Sequence, residues 1–275
     1  MMLASASNVP AAPLAGFRSR LRNSSFANNQ RAVSGTVTLA AGAYGHDGVK
    51  GGASGCTYTF ATTGIDTTLT ITAGSLILPI ENLIIEGGTY VVSHAGSAQA
   101  RVWQGTGSSG SGSYAVCPFT TASLTANTQT NVEFSTGTVL RPQFEPGAVV
   151  TSFERRPPGV ELVLCQRYFQ TTYEGSPPGT ANVSGQVTAY FTFALSAGGY
   201  LNWTLPFPVA MRSTPTMTCF AQVTGASGKA SINGTDTAWG LNVSQGRINL
   251  MQNTSGTATP TGFNLNMQYT ASAEI

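Results

Sequence analysis

Charge is what this chain has least of. It carries 13 basic and 11 acidic residues in 275, or 9% charged, where a globular protein has about 25%. The net charge of +2 excludes disorder driven by charge repulsion. The scarcity of Glu, Lys and Arg, with no heptads, excludes a coiled coil or long helical bundle. No apolar run reaches about 18 residues, so no membrane span is expected. Histidine is limited to His46 and His94. The four cysteines, Cys56, Cys117, Cys165 and Cys219, are widely spaced; no zinc knuckle or redox pair is present, and no metal or cofactor is expected. Met1 to Pro13 has neither a basic start nor a long apolar core, so a cytosolic origin with free thiols is expected. A Cys56–Cys117 bridge stays open. There is no G-x-S-x-G elbow and no Gly-rich phosphate loop ending in Lys-Ser/Thr. No catalytic residue is assigned, and the chain is expected not to be an enzyme. His46 beside Asp47 does not alter this, because strand neighbours point apart. A carboxylate pair of the glycosidase kind has no specific signal among eleven acids.

Polar, uncharged residues fill the gap. Glycine alone accounts for 32 positions, and hydrophobic residues make up 41% at a mean hydropathy of +0.04. Short alternating runs follow one another: Thr36–Leu39, Thr57–Phe60, Thr68–Thr72, Tyr90–Ser93 and Asn131–Phe134. Their polar partner is usually Thr, which suits an exposed strand face. Gly-rich turns part them, which predicts a sandwich or jelly roll. Phe153 to Val160 holds a charged cluster and then Pro157-Pro158-Gly159, a domain boundary. Leu162, Cys165 and Phe169 predict two turns of helix starting after Gly159. A second strand block follows, with runs at Ala189–Leu195, Met217–Val223 and Trp239–Val243 and an Asn233-Gly234 hairpin turn. The clearest run puts Phe263, Leu265, Met267 and Tyr269 on one face. The expected organisation is all-β: an extended arm over 1–35, a jelly-roll-like β-sandwich over 36–158, a helical connector over 159–172, and a distal β-sandwich over 173–275.

The sign of the charge is uneven. Residues 1–35 contain Arg18, Arg20, Arg22 and Arg31 and no acid. A basic excess confined to one end reads as a docking arm, not as a nucleic-acid-binding face. Eleven arginines stand against Lys50 and Lys229, which suits bidentate pairing with carboxylates at interfaces. For ligand binding, the exposed-aromatic candidates are Trp103, Tyr200 and Trp203. Aromatic faces stack on sugars, and Asn, Gln and Ser supply hydrogen bonds to hydroxyls. Trp239 heads an alternating run and is expected in the core.

Several stretches resemble a known family. Phe26 to Gly35 (FANNQRAVSG) is similar to an N-terminal signature of bacteriophage tail-fibre-like proteins, roughly N-F-x-I-N-Q-R-x-x-S-G. Thr38 to Asp47 resembles the block that follows it, with Gly48 where an aromatic or basic residue is usual. Glu86 to Tyr90, Phe144 to Pro157 and Glu161 to Phe169 also look like this family, as do Met211 to Thr216 and Tyr269 to Ile275. The resemblance implies a virion fibre component assembled in the host cytoplasm, with a module similar to carbohydrate-binding jelly rolls. It implies homotrimers, docking on other virion proteins through the arm, and adhesion to a cell-surface glycan. A capsid-decorating fibre with no receptor role remains the alternative. A polysaccharide depolymerase is disfavoured, because no rung-like repeat is visible.

Overall fold

The computed structural model describes residues 17–182 and 184–275. The chain is all-β, with two separate sheets, each wrapped around its own core, and one short helix between them. Among the described residues no helix is long and apolar enough to cross a membrane.

The first sandwich is built on a long hairpin of β2 (Lys50–Thr63) and β3 (Asp66–Ile80). β1 (Val37–Leu39) pairs with β2 at one edge. β3 is long enough to serve two partners. Its first half pairs with the start of β8 (Gly137–Pro146), Leu69 opposite Val139, and its second half with β7 (Thr130–Phe134), Leu76 opposite Phe134. β8 then leaves β3 and continues as the partner of β4 (Tyr90–Ala95), so one strand links both halves of the sandwich. Its change of direction falls at Arg141, a non-glycine residue at φ 51. β5 (Ala100–Gln104) and β6 (Phe119–Thr120) complete the edges. The core runs through Tyr58, Leu69, Leu76, Tyr90, Phe134 and Phe144.

The helix α1 spans Pro158–Gln166. It starts two residues earlier than its sequence signal suggests, because proline is tolerated at the first helical position, where its missing N–H is not needed. It also stops sooner. Phe169 lies in β9 (Phe169–Thr171), which pairs with the last strand of the distal sheet. The distal domain therefore recruits part of the stretch expected as connector.

That last strand, β17 (Phe263–Ser272), is the spine of the distal domain. It pairs with β9, β10 (Val187–Phe191), β13 (Thr216–Ala221) and β14 (Lys229–Ile232). Its apolar face is buried as the alternation predicts, with Phe263, Leu265 and Met267 at no exposed surface and Tyr269 at 5%, while Gln268 of the opposite face is buried too. From β14 the sheet runs on through β15 (Thr235–Ser244) to β16 (Arg247–Asn253). The short β11 (Tyr200–Leu201) and β12 (Leu205–Pro206) pair with β16.

The arm departs most from its sequence reading. Its residues 1–16 lie outside the described residues. Over 17–35 it is not a free arm: Leu21 and Phe26 are members of the first core, and Arg20 donates its backbone N–H to Phe144 O at 2.8 Å. Burying two large apolar side chains outweighs the entropy that an extended tail would keep.

Candidate functional site

Of the four arginines expected to dock, two turn inward. Arg22 pairs with Glu274 at 2.8 Å, donates to Pro79 O at 3.1 Å and lies 3.7 Å over the Tyr168 ring. Arg31 reaches Glu274 at 3.2 Å and lies 3.7 Å over Phe169. Both are committed inside the chain and face the junction of the two domains. Arg18 sits 3.5 Å from the buried Glu145, and Arg20 pairs with Glu86 at 2.5 Å.

Around Arg22 and Arg31 the domains interlock. Lys50 Nζ donates to Ile275 O at 3.0 Å, and the Tyr44 hydroxyl donates to the same oxygen. Gln30 donates to Phe169 O at 2.8 Å and to Asp47 Oδ1 at 2.9 Å. Arg167 holds Glu81 through two bonds, at 3.0 and 3.2 Å, and Tyr168 donates to Glu81 at 2.8 Å. Burial lowers the Lys50 pKa against the opposing pull of Glu274, and burial raises that of Tyr44. Reading the sequence missed Tyr44, Lys50 and Glu274. Their only signal is the arginine-to-lysine ratio, which marks bidentate pairing without naming partners.

Beside this junction lies a groove of about 480 Å³. Its apolar lining includes Phe17, Leu83, Ile84 and Leu164, and its rim holds Arg20, Glu86, Arg156 and Arg167. Phe17, Leu83 and Ile84 are exposed, Leu83 by 67%.

The aromatic candidates separate. Trp103 is buried, and its indole N–H donates to Glu133 Oε2 at 2.9 Å under Gly110 of the Gly/Ser loop. Glu133 also takes two bonds from Arg101, one from Ser75 and one from Tyr114. Burial alone would raise the Glu133 pKa, but these donors outweigh it and hold the carboxylate ionised. Trp103 is thus a structural residue, not a ligand platform. Trp203 is half-buried, edge-on to Phe191 at 5.9 Å, and packs on the distal core. Trp239 is in that core. Only Tyr200, 60% exposed, faces solvent. It lines a shallow trough of about 250 Å³ with Gly240, Leu241, Asn242, Leu250 and Gln252.

The described residues contain no cluster of three or more His, Cys, Asp or Glu able to hold a metal ion. His46 is buried, bonded to the Tyr58 hydroxyl at 3.0 Å and edge-on to Phe60. Burial lowers its pKa to about 4, so at neutral pH it is an uncharged core residue. All four cysteines are free. Burial pushes the Cys56 pKa up to about 12 and that of Cys117 up to about 11. The chain matches no protein-family model and no curated protein.

Proposed function

We propose that this chain is a structural component of a bacteriophage virion fibre, without enzymatic activity, which carries an outward-facing domain for host-surface glycan. One observation carries the reading. The stretches that resemble tail-fibre-like proteins, distant in sequence, meet at one place. Arg31 from the first stacks on Phe169 from another, and both Arg22 and Arg31 pair with Glu274 from a third. Together these contacts fix the two sandwiches to each other, which suits a part that must hold a binding surface firmly on its mount.

In this reading the first domain faces the virion and the distal domain faces outward. Copies assemble as a homotrimer, in keeping with the closed symmetry of most oligomers. Docking uses the apolar face bearing Phe17, Leu83 and Ile84, because all four arginines of this segment already have carboxylate partners within the chain. Charge is scarce on the distal domain, which suits a neutral partner, and identical copies raise weak single-site binding by avidity. Incorporation into particles tests the docking half. Leu83→Asp with Ile84→Asp leaves both cores untouched and is expected to abolish incorporation of a folded chain. Normal incorporation of that variant contradicts docking through this face.

A further inference from the structure

We infer that the outer face of the β11–β16–β15 strands is a binding subsite for a single neutral pyranose, with Tyr200 and Leu250 under its C–H face and the Gln252 and Asn242 amides on its hydroxyls. This rests on the adhesion reading above and deepens it. Register places the residues. Tyr200 pairs with Gln252, and Gln252 pairs with Gly240, so the three form one row across the sheet. Leu250 pairs with Asn242 in the next row on the same face. With strands about 4.8 Å apart and same-face residues about 7 Å apart along a strand, this patch matches one sugar ring. Leu201 and Met251 alternate with these residues and point into the core, with 3% and 0% exposure, which fixes the patch as the outward face.

The polar groups are oriented. Gln252 Nε2 donates to Gly198 O at 3.3 Å, which leaves its amide oxygen toward Gly240 as an acceptor. Asn249 donates to Asn242 Oδ1 at 3.3 Å, which leaves the Asn242 N–H bonds as donors. An acceptor and a donor flanking an apolar floor fit hydroxyls, which both donate and accept. None of the six lining residues is charged. The ionic residues of these strands stand away from the patch: Asp236 is bonded to Ser231 at 2.8 Å, and Arg247 opens β16. An acidic sugar therefore finds no counter-charge here. The neighbouring hollow at Asn233, Thr235, Thr257 and Thr259 is polar but has no aromatic face.

Gly240 opens the floor. Its backbone is not left-handed, and the nearest atoms to a Cβ there are Thr254 Cγ2 at 3.6 Å, Gln252 Cβ at 3.9 Å and Gln252 Oε1 at 4.0 Å, all ordinary contact distances. Packing does not demand glycine at this position. Gly240→Val therefore fills the trough without breaking the sheet, and a β-branched residue suits a strand.

The full-length chain is tested on an array of neutral and acidic bacterial glycans, with Tyr200→Ala and Gly240→Val alongside. The wild type is expected to bind neutral glycans. That binding should persist as salt rises from about 0.1 M to about 1 M, which shortens the Debye length from about 10 Å to about 3 Å. Each variant should lose about tenfold or more with unchanged melting temperature and oligomer size. Wild-type binding that both variants retain overturns the subsite and leaves adhesion standing. Binding confined to acidic glycans, or lost in salt, overturns its neutral chemistry. Variants that dissociate the oligomer show that the face packs on a second copy. Failure of the wild type to bind anything overturns adhesion itself.

Discussion

Asn23 shows how one side chain can settle the fate of a segment. It sits at φ 52, a left-handed conformation that asparagine tolerates. Its amide donates to Asn28 O at 2.8 Å and to Asp47 O at 2.9 Å, and accepts from Asn28 N at 2.9 Å. Its backbone N–H is taken by Glu161 of the helix. Asn23→Ala keeps the backbone bond to Glu161 but removes the side-chain bonds to Asn28 and Asp47 and leaves alanine in a left-handed conformation, and is expected to cost about 3 kcal/mol, read by chemical denaturation; a loss under about 1 kcal/mol contradicts this role. His46 acts through pH. The unfolded chain takes up a proton near pH 6.5, while the folded chain resists until about 4. Stability present above pH 6.5 is therefore lost as pH falls toward 4, by up to about 3 kcal/mol. Burial of Asp47 raises its pKa and works in the opposite direction at the acid end. Denaturant midpoints between pH 7 and 4.5 should fall for the wild type and stay flatter for His46→Asn. Equal slopes contradict the assignment. Neither role is legible in sequence, where neighbouring residues of a strand are expected to point apart but their partners are not named; the structure gives His46 the Tyr58 hydroxyl and Asp47 the Gln30 amide.

At the scale of elements, alternation was the readable signal. β17 and the core position of Trp239 follow from it, since period-two runs state which face is buried. Segment 17–35 was not readable, because Leu21 and Phe26 sit in polar sequence with no period and gain their places only from tertiary packing. The exposed aromatic candidates divide for the same reason. Tyr200 points outward, whereas Trp103 and Trp203 find partners brought in by strands remote in sequence. The β2–β3 hairpin adds a lesson about glycine. Register shifts between Gly51 and Cys56, and the excursion is held by Gly55 and Gly74, at φ 76 and 70. A Cβ on Gly74 would lie 2.1 Å from Gly55 O. Gly74→Ala therefore meets both a left-handed backbone and a backbone clash, and is expected to destabilise by more than about 1 kcal/mol. A neutral effect on the thermal midpoint contradicts this reading of the bulge.

For the whole molecule, scarce charge is mostly paired charge. Most of the ion pairs lie within the first domain, and where the domains meet Glu274 is shared by Arg22 and Arg31 with little solvent access. Glu274→Gln leaves the largely buried Arg22 without its carboxylate and Arg31 with only Asp47 at 3.9 Å, and is expected to cost about 3 kcal/mol. It should also expose the Phe153–Arg167 stretch to protease; unchanged stability and protection contradict the lock. The distal face is left nearly free of ions, which suits an uncharged partner. The proposed virion fibre would carry its distal domain outermost. The most direct measurement is electron microscopy of particles carrying a gold label on a single introduced cysteine, at Val149 of the first domain or Thr192 of the distal one. Both positions are exposed; Cys56, Cys165 and Cys219 are buried, and the half-buried Cys117 is first changed to serine. The account predicts label on the particle, with Thr192→Cys farther from its surface than Val149→Cys. Absence of label from purified particles, or the reverse order of the two sites, contradicts it.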